Sequence, residues 1–207
     1  MLRERGRHVD PCRALDALPA RDAVDLEHVV APVGHAQEVD ALEAFADLGG
    51  DVIVKPLFGS MGAGMTRVDD ADVAYRVFHA LALERAVYYL QETLPHDGAD
   101  VRAFVVGARV VAAIERRATG WRANLARGAR AHATELTAEQ ERVCLQAAAA
   151  LSVDYAGVDL LGEYVIELNG IPGWKGLQDA TGADVAAALV AHVEAVVSEA
   201  RPARAAR

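Results

Sequence analysis

The chain has 207 residues, which is enough for one large domain or two small ones. It is 53% hydrophobic and 25% charged, an ordinary composition for a soluble globular protein. Its formal net charge of −9 argues against nucleic acid as a general partner, because phosphate binding needs a basic surface. The two cysteines, Cys12 and Cys144, lie far apart without metal-ligand spacing, which indicates a reducing compartment and no disulfide framework.

The sequence gives no sign of a membrane or export segment. No apolar run approaches the length that crosses a bilayer, and no apolar segment follows the charged N-terminus as in a secretory signal. We therefore predict a cytoplasmic protein without a membrane partner.

Periodicity and turn residues predict an alternation of helices and short strands. Prolines interrupt residues 1–30, so we predict no long helix there. We expect Val73, Leu151, Val193 and Val196 on buried helix faces, and a loop over residues 171–176. The predicted elements are, in chain order, a helix at 38–48, a strand at 51–54, a helix at 70–84, a strand at 86–91, a hairpin of 101–106 and 108–114, a helix at 137–151, a hairpin at 158–169 and a helix at 182–199.

A glycine-rich loop follows the first predicted strand. Lys55 ends that strand, and Gly59, Gly62 and Gly64 come next, so backbone N–H groups there can close around phosphate oxygens. The lysine precedes the glycines, so this is not a P-loop, and the spacing does not match the dinucleotide fingerprint. An ordinary hairpin turn explains the glycines alone equally well, but the strand-end lysine favours phosphate binding.

An arginine-rich segment runs over residues 115–130. Five arginines fall within fifteen residues of a chain that is acidic overall. Guanidinium groups bind phosphate and carboxylate through two hydrogen bonds, so the segment predicts a site for an anionic substrate or a transferring phosphoryl group. A solvated loop that pairs with nearby acids explains the same residues equally well.

The second predicted hairpin, V-D-L-L-G-E-Y-V-I-E-L-N-G over residues 158–170, carries three oxygen-bearing side chains. We expect Asp159 opposite Glu167, Leu160 opposite Ile166 and Leu161 opposite Val165, with Val158, Leu160, Ile166 and Leu168 on the buried face. Asn169 joins the two acids on the other face. Carboxylates directly across a ladder repel, and a hard divalent cation such as Mg²⁺ offsets that repulsion. A solvated hairpin face is the alternative.

These features together resemble the ATP-grasp superfamily, and most closely its RimK-like branch of ATP-dependent glutamate ligases. The resemblance is continuous from about residue 51 to residue 193. Three segments follow that branch closely: V-V-A-A-I-E-R-R-A at 110–118, R-A-N-L at 122–125 and A-G-V-D at 156–159. The resemblance implies an α+β ATP-grasp fold, in which two α+β subdomains grip the nucleotide between antiparallel sheets.

The resemblance also implies roles for individual residues. The implied nucleotide-binding residues are Lys55, Gly59, Ser60, Gly62 and Gly64 at the phosphates, Glu92 and Thr93 at the adenine, Asp100 near the ribose, and Arg122 and Asn124 at the phosphates. Arg116, Arg117 and Arg122 are the implied catalytic residues. Arg102, Arg116 and Arg117 are implied to bind a substrate carboxylate or an acyl phosphate. Asp159, Glu167 and Asn169 are implied to hold two Mg²⁺ or Mn²⁺ ions, with Glu167 bridging.

The implied function is an ATP-dependent carboxylate–amine ligase, which adds an amino acid such as glutamate to a protein, peptide or cofactor carboxylate. Family members carry a small N-terminal α/β domain that residues 1–30 do not resemble, so we expect it to be missing. A nucleotide-binding remnant without catalysis is therefore the alternative, and an RNA-binding arginine loop is a weaker one. The expected units are an N-terminal segment at 1–30 without defined structure, two subdomains at 31–93 and 94–200, and a disordered tail at 201–207. The sequence leaves a homo-oligomer and the acceptor's identity open.

Overall fold

The structure, a computed structural model, describes residues 38–57, 63–117 and 130–200. The predictions for residues 1–30, for the tail and for Gly59, Ser60, Gly62, Arg122 and Asn124 lie outside these ranges. The described elements are α1 (Glu38–Asp47), β1 (Val52–Pro56), β2 (Thr66–Val68), α2 (Ala71–Leu83), β3 (Tyr88–Glu92), β4 (Ala99–Val106), β5 (Arg109–Arg117), β6 (Arg130–Ala133), α3 (Ala138–Ala150), β7 (Tyr155–Leu161), β8 (Tyr164–Asn169), α4 (Lys175–Thr181) and α5 (Val185–Ala200).

The strands form two antiparallel sheets. The first has three strands in the order β2-β1-β3, and the second has five in the order β6-β5-β4-β7-β8. The first sheet ends in sequence at Glu92 and the second begins at Ala99, on either side of the predicted subdomain boundary. The predicted α+β class is confirmed, whereas the subdomain division itself stays a prediction.

The first sheet packs one face against α1 and α2. Phe45 of α1 and Phe78 of α2 pack in this core against Leu90 of β3. Asp70 caps α2 by accepting a hydrogen bond from the Val73 backbone N–H at 2.9 Å. The predicted inward position of Val73 is wrong, because Phe78 lies on the inward side of α2 and Val73 faces solvent.

The second sheet packs one face against α3. Thr137 and Gln140 form a capping box at its start, so the helix begins where the sequence predicts it. Cys144 and Ala148 are buried against this face of the sheet. Leu151 is exposed rather than buried, because α3 ends at Ala150 and Leu151 is already its C-cap.

The other face of the second sheet is divided into an apolar half and a charged half. Side chains two residues apart on a strand share a face. Phe104 and Val106 of β4 therefore lie on the same face as Asp100 and Arg102, and they pack with Leu177 of α4 and Val185 of α5. The charged half, which no apolar core cluster covers in the described part of the chain, is the candidate site.

The C-terminal helices differ from the sequence prediction. Residues 175–181 form α4 instead of continuing the predicted loop, because the irregular Ile171–Trp174 segment ends where Trp174 becomes the N-cap of the helix. Val193 and Val196 are exposed rather than inward, since only the first turns of α5 reach the sheet, through Val185 and Ala188. Among the described helices, none alone is long and apolar enough to cross a membrane; α4 and α5 meet that criterion only as a pair bent by 110°.

The β7–β8 hairpin keeps the predicted acidic pair but not the whole predicted register. Asp159 lies opposite Glu167, as predicted, whereas Leu160 pairs with Val165 and Leu161 with Tyr164. Ile166 is therefore an extra residue in β8, in a β-bulge. The bulge lets Val165 and Leu168 both pack on the core, so the predicted burial of Ile166 there is wrong.

Gly157 in β7 allows the chain after β8 to fold back onto the sheet. A Cβ atom at this position would lie 2.7 Å from Cβ of Pro172 and 3.4 Å from its Cγ. A proline ring cannot turn away from such a contact, so any side chain here would displace the Pro172 loop. Only glycine permits this approach.

We predict that Gly157→Ala lowers the free energy of unfolding by about 1–3 kcal/mol, because the added methyl group overpacks the contact with Pro172. Urea denaturation followed by far-UV circular dichroism measures this. The matched control is Gly173→Ala, where a new Cβ meets nothing within 4 Å. Equal stability of the two variants would contradict the packing argument.

Candidate active site

The two sheets contact each other through polar groups. In the first sheet, Lys55 and Gln91 point away from the α1–α2 core, because they alternate with the buried Val54 and Leu90. Both side chains donate a hydrogen bond of 3.4 Å to the Ile166 carbonyl oxygen in the second sheet. The bulge leaves that carbonyl available, since the extra residue of a bulge is unpaired in the ladder.

Lys55 is a buried cation that faces acidic side chains. It is only 7% exposed, and its Nζ lies 5.8 Å from the centre of the Tyr89 ring. Burial lowers the pKa of Lys55, while the negative charges of Glu167 and Asp159 act in the opposite direction. A desolvated ammonium group that is only partly compensated in this way attracts a further anion such as a phosphate.

Four charged side chains form a network on the charged half of the second sheet. Arg102 donates from Nε and Nη2 to the two carboxylate oxygens of Asp159, at 2.6 Å each. Arg116 donates in the same way to both oxygens of Asp100, with its Nε at 2.6 Å from Oδ1. The Arg116 Nη2 atom also lies 3.0 Å from Oδ2 of Asp159 and so links the two pairs.

Strand register produces this network directly. Arg102 is the ladder partner of Asp159 between β4 and β7, and Asp100 is the ladder partner of Arg116 between β4 and β5. Opposite charges directly across a ladder attract. Non-local strand pairing thus turns residues far apart in sequence into one compact cluster.

The three predicted metal ligands lie on one face of the hairpin. Asp159 and Glu167 are directly opposite, and Asn169 is two residues further along β8, opposite Gly157. Their donor atoms are all oxygens, which fits Mg²⁺ or Mn²⁺ rather than a softer metal. Carboxylates that face each other in this way repel unless a cation lies between them, so the donor chemistry fits the implied ions.

The environments of the three ligands differ. Asp159 is 3% exposed and both of its oxygens accept hydrogen bonds from Arg102, whereas Glu167 is exposed. Within the described ranges, no group of three His, Cys, Asp or Glu side chains is arranged to hold a metal. The third predicted ligand is instead the amide of Asn169, and the metal roles stay predictions.

Arg117, another predicted site residue, is not brought into the cluster. Arg117 lies on the opposite face from Arg116, because neighbouring strand residues alternate; it is exposed and paired with Glu115 and Asp97. Asp100 belongs to the cluster, and both of its carboxylate oxygens accept hydrogen bonds from Arg116. The Arg117 substrate role and the Asp100 ribose role stay predictions.

The predicted adenine segment lies at the end of β3. Glu92 is the last residue of that strand, and the Thr93 N–H donates to the Asp51 carbonyl oxygen at 3.0 Å. The N–H of Thr93 is thus already used in the protein. Gly64, the described end of the glycine loop, has a φ of +81°, which a glycine adopts without strain.

Gln91 is a site residue that the sequence analysis missed. It is a buried polar side chain, and its partner in the β1–β3 ladder is Ile53. Ile53 lies two residues before Lys55 and on the same face of β1. Side chains alternate along β3, with Tyr88 and Leu90 inward and Tyr89 and Gln91 outward. This alternation could have identified Gln91 from the sequence. A glutamine on the non-core face of a buried strand is expected to find a polar partner.

The chain also resembles known proteins in sequence and in fold. Residues 12–193 match the RimK-like ATP-grasp domain. A "Probable alpha-L-glutamate ligase" of Cellvibrio japonicus (strain Ueda107) is 37% identical over 198 residues, which are 91% of this chain and 64% of the relative. One of the same description from Xanthomonas euvesicatoria pv. vesicatoria (strain 85-10) is 40% identical over 149 residues, 69% of this chain and 50% of the relative. The chain thus spans between half and two thirds of these relatives.

Solved structures show the same fold. The ATP-grasp ligase PsnB, complexed with a phosphomimetic variant of its minimal precursor, Mg and ADP, matches with a TM-score of 0.61 and 24% identity, over 80% of this chain and 54% of that one. The D-cycloserine synthetase DcsG matches with a TM-score of 0.62 and 19% identity, over 80% of this chain and 64% of that one. At these identities the likeness establishes the predicted ATP-grasp fold and no more.

We predict that Lys55→Met raises the free energy of unfolding at pH 7 by about 1 kcal/mol, because an apolar side chain removes the desolvation cost of the buried ammonium. The sign follows from the lowered pKa: the cost is fully present below the folded-state pKa. It disappears as pH rises from that value to the ordinary 10.5, so the advantage of the variant shrinks in alkaline solution.

Urea denaturation of both proteins at several pH values measures this difference. The matched control is Lys175→Met, because the side chain of Lys175 is 88% exposed and has no desolvation cost to remove. A destabilised Lys55→Met protein at pH 7 would show that the carboxylates already compensate the lysine in full.

Proposed function

The chain belongs to the RimK-like ATP-grasp family, and from that membership we propose that it acts in an ATP-dependent carboxylate–amine ligase. The reaction forms an amide bond through an acyl phosphate and adds an amino acid, in our proposal glutamate, to a carboxylate of a protein, peptide or cofactor. The names of the curated relatives support glutamate, and the peptide complexes of PsnB support a peptide acceptor.

One observation carries the proposal. Buried Lys55 in the first sheet bonds the second sheet and feels the negative charges of Asp159 and Glu167 there. A cation opposite a pair of acids suits a triphosphate with its metal ions, since the lysine neutralises phosphate oxygens and the acids hold the metal.

The chemistry follows from positioning and charge neutralisation. The acceptor carboxylate attacks the γ-phosphorus of ATP, ADP leaves, and the resulting acyl phosphate loses inorganic phosphate when the amine attacks and releases its proton. Lys55 would hold phosphate oxygens, and Arg102 and Arg116 would orient the anionic groups. Mg²⁺ held by Asp159, Glu167 and Asn169 would neutralise charge on the transferring phosphoryl group. No protein nucleophile is needed.

We also propose a cytoplasmic location, which rests on cysteine usage. The described cysteine, Cys144, is buried, and burial raises the pKa of its thiol to about 12, so it is an inert core residue. Cys12 lies outside the described residues.

A nucleotide-binding protein without turnover is the second candidate. The favouring observation is that Asp159, a predicted metal ligand, accepts hydrogen bonds at both oxygens from Arg102. If those bonds persist with nucleotide present, the metal cannot be held as phosphoryl transfer requires.

We predict release of ADP that depends on Mg²⁺, on a carboxylate acceptor and on an amino acid together, measured by a coupled ADP assay with panels of amino acids and acceptor peptides. Glu167→Gln is expected to lower kcat about 100-fold or more, because it removes a charge that a metal ion needs. The matched control is Glu163→Gln, an exposed residue in the turn of the same hairpin.

Unchanged turnover in Glu167→Gln would contradict the mechanism. Calorimetric binding of ATP with Mg²⁺, but no ADP with any acceptor, would favour the second candidate. An absence of nucleotide binding would contradict both candidates.

A further inference from the structure

Lys55 and Tyr89 lie side by side where the two sheets meet. They are ladder partners in β1 and β3, so their side chains leave the first sheet on the same face. The Lys55 Nζ atom lies 5.8 Å from the centre of the Tyr89 ring, within the range of a cation–π interaction. Because Lys55 is buried, the ring meets a largely desolvated ammonium group, for which such a contact is strongest.

The acids near Lys55 are not its direct partners. The charges of Glu167 and Asp159 act on the pKa of Lys55, but among the described residues no carboxylate forms an ion pair with its ammonium group. The ammonium group instead donates to the Ile166 carbonyl oxygen and lies over the Tyr89 ring. Both of these partners are uncharged, so Lys55 keeps its positive charge for an incoming anion.

A tyrosine suits this position better than an acid would. An acidic partner would neutralise the ammonium group, and a phosphate would then have to displace that partner. An aromatic face attracts a cation without cancelling its charge. Burial raises the pKa of the Tyr89 hydroxyl, and the negative charge of Glu167 acts in the same direction, so this side chain brings no competing negative charge.

We propose that Tyr89 is a positioning residue, whose ring holds the Lys55 ammonium group apart from the neighbouring acids and so keeps it available for phosphate. The inference rests on the proposed function, because it gives Lys55 a phosphate to bind. Without the ring, the flexible lysine side chain can swing toward Asp159 and Glu167 and pair with them. A nucleotide would then have to break that pair before the lysine could reach its phosphates.

The test measures nucleotide binding to the full chain. Tyr89→Leu removes the ring but keeps an apolar side chain, and it is expected to weaken the binding of β,γ-imido-ATP with Mg²⁺ about tenfold. Tyr89→Phe keeps the ring and is expected to bind this analogue as the wild-type protein does. Adenosine has no phosphate, so its affinity is expected to be equal in all three proteins. Calorimetry measures the analogue, and ligand-observed NMR titration measures adenosine.

A double-mutant cycle shows whether Tyr89 acts through Lys55. In the Lys55→Met background, Tyr89→Leu is expected to change the affinity for β,γ-imido-ATP by less than about twofold, because the ammonium group that the ring positions is absent. An equal effect in both backgrounds would mean that Tyr89 acts on the nucleotide without the lysine, which overturns the proposal. Unchanged affinity in Tyr89→Leu, or an equal loss in Tyr89→Phe, would overturn it too.

Tyr75→Leu is the matched control. Tyr75 is an exposed tyrosine that stacks on His79 in α2, the helix that covers the other face of the first sheet. This variant is expected to leave both affinities unchanged. If Tyr89→Leu also loses affinity for adenosine, the defect is general to the site, which contradicts a role through Lys55. If the wild-type chain binds neither ligand, the proposed function itself fails and the inference falls with it, a result that differs from all the others.

Discussion

The β-bulge at Ile166 is the constraint on which the site depends. It allows Val165 and Leu168 to stay in the core while Asp159 and Glu167 face each other on the opposite side of the hairpin. It also leaves the Ile166 carbonyl free of the ladder, where Lys55 and Gln91 can reach it. One inserted residue therefore aligns the acids and joins the two sheets.

Each face of the second sheet is apolar only in part. The face under α3 has an apolar cluster that includes Ala113 and also carries Glu115 and Arg117, and the face under α4 and α5 is apolar only where those helices cover it. Beyond them the same strands carry charge, and each buried charge has an oppositely charged neighbour across the ladder. A pair of this kind adds little stability over apolar residues. Its presence is better explained by a ligand than by folding.

Local signals in the sequence predicted much of the fold and part of the site. The start of the helix at Thr137 and the Asp159–Glu167 pair each depend on neighbouring residues, and the structure has both. The bulge was not predictable, because V-I-E-L at 165–168 alternates equally well with or without an extra residue. Tertiary packing decided between the two registers.

The arginine roles could not be read from sequence for a different reason. Arg116 and Arg117 are adjacent and chemically identical. Only the face to which β5 turns each side chain decides which of the two lies beside Asp159. The strand order places β4 between β5 and β7, and this order is a non-local property of the fold. It pairs Asp100 with Arg116, and the ribose contact that the family resemblance implies for Asp100 stays a prediction.

The charges where the two sheets meet favour the binding of an anion together with its metal ions. Lys55 is charged against the cost of burial, and Asp159 and Glu167 repel each other across the hairpin. A phosphate would relieve the first cost and a divalent cation the second, and each ligand strengthens the field that attracts the other. Both costs exist only in the folded protein, and each ligand relieves one of them. Nucleotide and metal are therefore expected to bind cooperatively. Their binding is also expected to stabilise the contact between the two sheets.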